Sequence, residues 1–320
     1  MTRILLTGAN GFVGSGVLRH AANRQDLQWV AAVRRSGKVV GCERTCLVES
    51  LSDSTNWGEA LADVDVVIHA AARVHVMNEK VSDPLAEFRR TNVEGTLELA
   101  RQSAQAGVRR FVFISSIKVN GEATPTGQPY HADDVPNPVD PYGVSKREAE
   151  DALRELARAT GMEVVIIRPV LVYGPGVKAN FLSMMRWLSA GIPLPLGSIH
   201  NCRSLVYIGN LADLILTCAE HPAAANQTFL GSDGEDLSTT QLLRRLGGAL
   251  QKPARLLPLP SAFLRLAASM IGRRAVAQRL CGSLQVDISK NAQLLGWTPV
   301  FQVDDALRLT ARHYLDVRSS

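Results

Sequence analysis

Tyr142 and Lys146 are the residues whose types and spacing most directly offer chemistry. In a helix, side chains four residues apart lie on one face, so the phenol and the ammonium are within mutual reach. A free phenol has a pKa of about 10, and a nearby cation that stabilises the phenolate would lower it. Asp140 as N-cap and Pro141 as first helical residue predict where this helix begins. A surface tyrosine beside a solvated lysine remains the alternative at this point.

Glycines follow the first apolar segment of the chain. Residues 7–14 read Thr-Gly-Ala-Asn-Gly-Phe-Val-Gly, between a predicted strand, Ile4 to Thr7, and a predicted helix, Ser15 to Ala22. Glycine at such a point lets the chain turn tightly and lets the backbone approach a pyrophosphate. The pattern therefore predicts a dinucleotide site, although its three-residue spacing differs from Gly-x-Gly-x-x-Gly. The residues expected to bind the cofactor here are Gly8, Asn10, Gly11, Phe12, Val13 and Gly14.

Arg34 and Arg35 follow the second predicted strand, Trp29 to Val33, about 20 residues beyond the last glycine. An acidic residue there would bind the ribose 2′-hydroxyl of NAD, whereas a guanidinium favours a 2′-phosphate. We therefore expect Arg34 to favour NADP(H), with NAD(H) still possible. The alternative is that Arg34 stacks on adenine or faces solvent.

Apolar runs of strand length alternate with helical segments through the first half of the chain. Beyond the two strands above, strands are predicted at Val64 to His69, Phe111 to Ser115 and Val164 to Pro169, with a helical pattern over Asp83 to Ala106. Such continuously apolar strands are typical of a parallel sheet covered on both faces, which binds ligands beyond the carboxyl ends of its strands. The fold class is therefore α/β, a Rossmann-type doubly wound parallel sheet. We predict a dinucleotide-binding domain over 1–172 and a smaller α/β substrate lobe over 173–320, some of whose segments return to the first domain.

The bulk composition excludes several classes of protein. The chain has 320 residues, 46% hydrophobic and 20% charged, with a net charge of +5. Its arginines are scattered, so we expect no nucleic acid and attribute the positive charge to an anionic small substrate. The five cysteines and seven histidines lack ligand spacing, so no metal site is expected. No signal peptide and no apolar run of spanning length is found, which indicates a cytoplasmic protein without stable membrane insertion.

Several motifs together resemble the extended short-chain dehydrogenase/reductase superfamily, the NAD-dependent epimerase/dehydratase family. They are the glycine loop, Ser115-Ser116, Tyr142-x3-Lys146, His69-Ala70-Ala71-Ala72, Thr91-Asn92-Val93-Glu94-Gly95-Thr96, Arg168-Pro169, Val172-Tyr173-Gly174-Pro175 and Leu295-Gly296-Trp297-Thr298-Pro299. The resemblance implies a nicotinamide cofactor and a nucleotide-sugar substrate. It also implies a homodimer through the helix that bears Tyr142.

The resemblance assigns roles residue by residue. Tyr142 would be the general acid/base, Lys146 its electrostatic partner and ribose ligand, and Ser116 the hydrogen-bond donor to the reacting oxygen, with Ser115 structural. Further cofactor contacts would come from Ser50, Leu51, Ala70, Ala71, Ala72, Asn92 and Pro169. Sugar or diphosphate contacts would come from Lys118, Asn180, Arg203 and Arg279, of which Arg279 is alternatively a solvated helix charge. Ser50-Leu51 and Leu171 depart from the family pattern, which has Asp-hydrophobic and Asn at these places.

Two residues after Ser116 discriminate between reactions. Family dehydratases carry Asp-Glu there, whereas this chain has Ile117-Lys118, so elimination of water from the sugar is not expected. Redox chemistry at C4 remains. With Arg34 and with Asn120 where epimerases usually have Tyr, we favour NADPH-dependent reduction of a UDP-4-keto-6-deoxy-N-acetylhexosamine. Its product would be a UDP-N-acetylquinovosamine-type sugar for O-antigen synthesis. The main alternative is an NAD-dependent UDP-glucose or UDP-N-acetylglucosamine 4-epimerase, and a minor one is a non-catalytic cofactor-sensing protein.

One apolar stretch allows two interpretations. Residues 261–272 read Ser-Ala-Phe-Leu-Arg-Leu-Ala-Ala-Ser-Met-Ile-Gly and precede Arg273-Arg274. Such a segment could lie on a membrane surface. A core helix or a helix that covers the substrate pocket is the interpretation we favour.

Overall fold

A seven-stranded parallel sheet forms the centre of the molecule in a computed structural model that describes residues 1–35, 37, 39–74, 83–270 and 274–319. The strand order is β3-β2-β1-β4-β5-β6-β9, and every neighbouring pair is parallel. Because the strands are parallel, all their carboxyl ends lie along one edge of the sheet. The crossover connections put helices on both faces of the sheet. The strands are β1 (Thr2–Thr7), β2 (Leu27–Val33), β3 (Arg44–Leu47), β4 (Val66–His69), β5 (Arg110–Ile114), β6 (Glu163–Pro169) and β9 (Thr228–Gly231).

Alternate residues of each strand pack into two separate cores. In β1, Ile4 and Leu6 join one cluster while Leu5 joins the other, and the same alternation runs through the neighbouring strands. This is why the strands read as continuously apolar. The first core is covered by α1 (Phe12–His20) and α7 (Ile208–Glu220), and the second by α2 (Gly58–Leu61), α4 (Gly95–Gln105) and α5 (Pro141–Thr160).

A second, three-stranded sheet lies after β6. It consists of β7 (Leu171–Tyr173), β8 (Arg203–Tyr207) and β10 (Asp236–Leu237), with β8 between a parallel and an antiparallel neighbour. A third core forms around it. The helices of this part are α6 (Ala179–Ser189), α8 (Thr239–Ala249), α9 (Ser261–Met270), α10 (Arg274–Cys281), α11 (Ser289–Leu295) and α12 (Val303–Ser319).

The predicted elements compare well with the observed ones in the first half of the chain. All five predicted strands are present. The predicted helix over 83–106 is divided into α3 (Pro84–Arg89), a π-helical turn over Arg90–Glu94, and α4. β3 and β9 were not predicted. β9 follows the second sheet in sequence but pairs with β6, so the chain returns to the large sheet after residue 173. The domain boundary at 172 stays a prediction.

The helix α9 is not a core helix. Its Leu264 packs against the third core, but Phe263, Leu266 and Met270 are exposed. Residues 271–273 lie outside the described residues. Among the described residues, no helix is long and apolar enough to cross a bilayer.

Candidate active site

The helix that carries Tyr142 begins as its sequence predicts. Asp140 is the N-cap, its Oδ1 accepting a hydrogen bond of 2.7 Å from the backbone N–H of Gly143, and Pro141 is the first helical residue. This cap satisfies one of the N–H groups that a helix start leaves unpaired. The ring of Tyr142 packs edge-on against Phe88, with centroids 5.9 Å apart. Tyr142 is thereby fixed in the first turn of α5.

Lys146 is buried one turn further along α5. Its Nζ donates a hydrogen bond of 2.9 Å to the carbonyl oxygen of Ile114, the last residue of β5, and lies 4.4 Å from the ring centroid of Phe113. Burial lowers the pKa of Lys146 to about 7, although the nearby charge of Glu150 opposes that change. The ammonium is thus held at the carboxyl end of β5, in a setting that favours its neutral form.

The acidity expected of Tyr142 is not found in the polypeptide. Burial, together with the negative charge of Asp140, raises the pKa of Tyr142 to about 12. The expectation that Lys146 lowers this pKa is therefore wrong for the protein alone. The physical reason is desolvation, because a half-enclosed phenolate loses more from missing water than it gains from a lysine that is itself desolvated. At neutral pH the Tyr142 hydroxyl holds its proton.

The two serines after β5 serve different partners. Ser115 is buried, and its Oγ donates a hydrogen bond of 2.6 Å to Oε1 of Glu150. Ser116 caps a short 3-10 turn over Ile117–Val119, and its Oγ accepts a hydrogen bond of 3.3 Å from the backbone N–H of Lys118. Ser116 lies at the carboxyl edge of the sheet, where a ligand is expected.

Lys118 contacts two carboxylates. Its Nζ forms an ion pair with Asp140, the cap of α5, and another of 3.2 Å with Glu122. A sugar contact of Lys118 stays a prediction. Its ammonium stands beside the carboxylate that raises the pKa of Tyr142, so it screens that effect.

A buried ion pair that sequence reasoning missed lies behind Lys146. Glu150 and Arg168 are both almost fully buried, and the guanidinium donates two hydrogen bonds of 2.9 and 2.5 Å to the carboxylate. Arg168 also donates to Oδ1 of Asn120 at 2.9 Å. A signal was present, since Glu150 lies four residues after Lys146 on the same helix face. Its partner lies on β6, which local sequence cannot indicate.

The glycine loop turns tightly at the carboxyl end of β1. Gly8 has a φ of +71°, and its carbonyl oxygen accepts a hydrogen bond of 2.8 Å from the N–H of Gly11. A Cβ on Gly14 would stand only 2.3 Å from the same oxygen. The loop therefore requires glycine at these points, and α1 begins within it at Phe12. Asn10 is exposed in the loop, and Phe12 and Val13 are partly buried.

A chain of buried hydrogen bonds supports the segment after β4. Thr7 Oγ1 lies 2.7 Å from Nδ1 of His69, and Nε2 of His69 lies 3.0 Å from Thr96 Oγ1. Burial lowers the pKa of His69 to about 3, so the ring is neutral at physiological pH. Thr7 Oγ1 also accepts from the N–H of Ala71 at 3.2 Å. Ala70, Ala71 and Ala72 thus follow β4 directly beside the glycine loop.

Asn92 lies in the π-helical turn before α4. Its Oδ1 accepts from the N–H of Arg73 at 2.8 Å, while its Nδ2 donates to the Arg73 carbonyl and to Ser145 Oγ, both at 3.1 Å. The amide therefore ties the segment after β4 to the helix that bears Tyr142. Its predicted contact with a cofactor stays a prediction.

Other predicted cofactor residues lie along the same edge of the sheet. Arg34 and Arg35 are exposed directly after β2, Ser50 and Leu51 follow β3, and Pro169 ends β6. Since parallel strands end at one edge, these residues and the glycine loop share that edge. A nicotinamide dinucleotide fits these residues, because the N-cap of α1 is Gly11, which offers no side-chain cap, and the first N–H groups of such a helix can bind the oxygens of a pyrophosphate.

Two arginines predicted to bind diphosphate lie together in the second part of the molecule. Arg203, at the start of β8, donates hydrogen bonds of 3.1 Å to the carbonyl oxygens of Arg279 and Gly282. Burial and the positive charge of Arg279 lower the pKa of Arg203. Two guanidinium groups that repel each other in this way favour the binding of an anion between or beside them. Asn180 is exposed in the first turn of α6.

Thiols and carboxylates give no sign of a metal centre in the described parts of the chain. The five cysteines, all of which lie in the described part of the chain, form no disulfide. No group of three or more His, Cys, Asp or Glu residues that could hold a metal ion occurs among the described residues.

A comparison with family models supports what three features indicate: the glycine loop, the Tyr142–Lys146 helix and the seven parallel strands. The model of the NAD dependent epimerase/dehydratase family matches residues 4–230. The chain belongs to this family. Its fold is the Rossmann-type α/β fold of that family, and family members use NAD or NADP as cofactor.

Known relatives extend over nearly the whole chain. A UDP-glucose 4-epimerase of Vibrio cholerae is 48% identical over 319 residues, which cover 99% of this chain and 96% of that protein. An N-acetyl-α-D-glucosaminyl-diphospho-ditrans,octacis-undecaprenol 4-epimerase of Escherichia coli O157:H7 is 27% identical, covering 90% of this chain and 88% of that one. The solved UDP-glucose 4-epimerase of Thermotoga maritima with UDP-glucose superposes with a TM-score of 0.77 at 22% identity, covering 99% and 100% of the two chains. The structural likeness shows that the fold is shared.

Proposed function

We propose that this family member is a UDP-sugar 4-epimerase, which oxidises the C4 hydroxyl of a UDP-hexose or UDP-N-acetylhexosamine and reduces the resulting ketone from the opposite face. The observation that carries the proposal is the 48% identity to the Vibrio cholerae enzyme across nearly the full length of both chains. The UDP-4-keto-6-deoxy sugar reduction favoured by the sequence becomes the second candidate. Arg34 and Arg35 at the end of β2 favour it, because a 2′-phosphate marks the cofactor suited to net reduction.

The proposed mechanism uses Tyr142, Lys146 and Ser116. A nicotinamide cofactor held at the glycine loop would supply the hydride acceptor and donor for C4. Tyr142 exchanges the proton of the O4 oxygen through its Oη, and Ser116 donates a hydrogen bond to that oxygen as charge develops on it. Because the pKa of Tyr142 is raised to about 12, the phenol is protonated at neutral pH and holds the proton that the alkoxide formed at O4 would accept. Accepting the O4 proton requires added positive charge, which Lys146 supplies in its protonated form.

The residues after Ser116 support redox chemistry without elimination. Ile117 is buried in the 3-10 turn, and the Lys118 ammonium is engaged with Asp140 and Glu122. Neither can act as the acid or base that removal of water from the sugar requires.

The substrate would lie between the Tyr142 helix and the second part of the molecule. Arg203 and Arg279 are proposed to bind its diphosphate, with Asn180 and Lys118 as further polar contacts. Paired guanidinium groups suit this role, since they donate several directed hydrogen bonds to phosphate oxygens. We also propose a homodimer through the helices α4 and α5.

Product analysis distinguishes the two candidate reactions. Purified protein is incubated with UDP-glucose or UDP-N-acetylglucosamine alone, and separately with UDP-4-keto-6-deoxy-N-acetylglucosamine and NADPH, and the products are followed by NMR. We expect formation of the C4 epimer in the first incubation without added reductant. Product only in the second incubation, with stoichiometric loss of NADPH, would replace the epimerase by the reductase.

The cofactor preference has a separate test. If Arg34 binds a 2′-phosphate, Arg34→Asp weakens NADPH binding relative to NADH in isothermal titration, whereas Arg101→Asp, at an exposed position on α4, does not. An unchanged preference in Arg34→Asp would show that Arg34 does not read the 2′-phosphate.

A further inference from the structure

The positive charge of this chain is concentrated in two segments. Residues 164–212 contain four basic residues and no acidic residue, and residues 237–286 contain eight basic residues and no acidic residue. The remainder carries 23 basic and 30 acidic residues. The net charge of +5 therefore combines twelve positive charges in these two segments with a net charge of −7 over the rest of the chain. The proposed diphosphate contact uses only two of these twelve basic residues, Arg203 and Arg279.

An exposed apolar stripe lies within the second of these segments. On α9, Phe263 is 66% exposed, Leu266 is 61% exposed and Met270 is 80% exposed. Their spacing of three and four residues puts them on one helix face. Leu264 lies on the inner side, packed against the third core. The helix is thus anchored by one face and presents the other outward.

The stripe continues across the segment that precedes α9. Residues 192–198 and 255–260 run side by side, with hydrogen bonds of 2.9 Å from Leu194 N–H to the Arg255 carbonyl and from Gly197 N–H to the Leu257 carbonyl. These two strips carry further outward apolar side chains, which are Ile192, Leu257 and Leu259, exposed by 46%, 52% and 43%. We call these six residues, Ile192, Leu257, Leu259, Phe263, Leu266 and Met270, the apolar patch. Exposed apolar side chains grouped in this way are typical of an interaction site.

Cations border the apolar patch. Lys252 and Arg255 are exposed immediately before Leu257, and Arg186 is exposed at the end of α6. Apolar side chains ringed by basic ones fit a bilayer with anionic headgroups, since the former enter the acyl boundary while the latter meet phosphate. A second copy of this chain fits less well, because it would bring two positive segments together.

We propose that the apolar patch and its basic border bind the surface of an anionic lipid bilayer, with α9 lying in the interface. α9 has ten residues, which is enough for interfacial binding and too few to span a bilayer. This inference is independent of which sugar the active site takes.

Vesicle sedimentation tests the proposal with the full chain. We expect wild-type protein to sediment with vesicles of phosphatidylglycerol and phosphatidylcholine, to sediment weakly with phosphatidylcholine alone, and to be released by high salt. The variant Phe263→Ser/Leu266→Ser/Met270→Ser is expected to lose at least about tenfold in partitioning, because apolar burial drives interfacial binding. The matched control is Val135→Ser/Val300→Ser/Val317→Ser, at residues exposed by 85%, 56% and 65% outside the apolar patch, which should sediment like wild type.

A charge variant keeps the proposal testable if the apolar variant does not fold. Lys252→Glu/Arg255→Glu should reduce partitioning by at least about 20-fold, because each basic residue near an anionic surface contributes about fivefold. Arg109→Glu/Arg312→Glu makes the same change of net charge at exposed sites elsewhere and should have little effect. Wild-type protein that ignores anionic vesicles would overturn the proposal. So would a loss of self-association, measured by sedimentation velocity in the apolar variant, that leaves vesicle binding unchanged.

Discussion

At the scale of single residues, Tyr142 and Lys146 are both held in settings that favour their neutral forms. Burial raises the pKa of the phenol to about 12 and lowers that of the ammonium to about 7. Of these two pKa values, only that of Lys146 lies near neutral pH. Lys146 is therefore the group of this pair whose charge changes near neutral pH.

Replacing Tyr142 by phenylalanine tests its role directly. Tyr142→Phe removes the hydroxyl and keeps the ring against Phe88. We expect turnover to fall at least about a hundredfold, since a positioned acid or base typically contributes 10²–10⁴, while cofactor binding in isothermal titration is retained. Wild-type turnover in this variant would contradict the mechanism.

The burial of Lys146 predicts a pH-dependent stability. The folded protein lowers the pKa of this group from 10.5 to about 7, so between these values the unfolded chain binds more protons, and stability rises with pH. The cost of burying the ammonium is complete below pH 7. We expect the free energy of unfolding of wild type relative to Lys146→Met to increase by about 2–3 kcal/mol from pH 7 to pH 9.5.

Urea unfolding at several pH values provides the measurement. Lys252→Met, at an exposed lysine, is the control and should show a difference from wild type that does not vary over this range. A flat difference for Lys146→Met as well would mean that Lys146 is solvated in the folded protein.

Sequence alone identified the Tyr142–Lys146 pair and the cap at Asp140 because these are local features of one helix. It could not give the direction of the Tyr142 pKa shift, which depends on how much water the tertiary structure removes. Nor could it reveal that Asn120 pairs with Arg168, since those residues meet only through the fold.

At the scale of elements, α5 connects the active site to the sheet. Lys146 and Glu150 lie one turn apart on its inner face, and Glu150 binds Arg168 of β6 and Ser115 beyond β5. The helix is thus fixed to two strands by charged and polar groups in the interior. A buried pair of this kind is costly to break, because removing one partner leaves the other charge without compensation.

Glu150→Ala is therefore expected to destabilise the fold by about 3–5 kcal/mol. Asp151→Ala provides a matched control at the next residue, where the side chain is 54% exposed and makes surface ion pairs, and should cost less than about 1 kcal/mol. Urea denaturation of both variants gives the comparison. A loss of equal size in both would show that the interior pair adds no special stability.

The strands that sequence predicted are the long, doubly buried ones such as β1 and β6. β9 and β10 have four and two residues, and their positions are set by pairing with partners distant in sequence. Periodicity over so few residues carries little information, so the second sheet was beyond prediction, and the expected return of the chain to the first domain could not be assigned to a particular strand.

At the scale of the whole molecule, the candidate cofactor and diphosphate sites come from different parts of the chain. The cofactor residues follow β1 to β6 at one sheet edge, while Arg203 and Arg279 belong to the second part. The charges are divided in the same way, with the excess of basic residues in the second part. Bulk net charge alone concealed this division.

Hydrogen exchange should separate the two sites. We expect NADH to slow exchange of amides in residues 8–14 and 69–72, and UDP to slow exchange in 203–207 and 279–284, because bound ligands suppress local opening. Arg203→Met should abolish the UDP effect and leave the NADH effect unchanged. UDP protection that survives Arg203→Met would place the diphosphate elsewhere.

The Lys118–Asp140 ion pair restricts how this protein could acquire a different reaction. Installing the dehydratase pair Asp-Glu at positions 117 and 118 would set a new carboxylate against Asp140, where the ammonium now stands. The repulsion would act on the cap of α5 and so on the Tyr142 that the new chemistry also needs. A mutational path from C4 redox chemistry to elimination therefore requires Asp140 to change first, for example to asparagine, which keeps the cap and removes the charge.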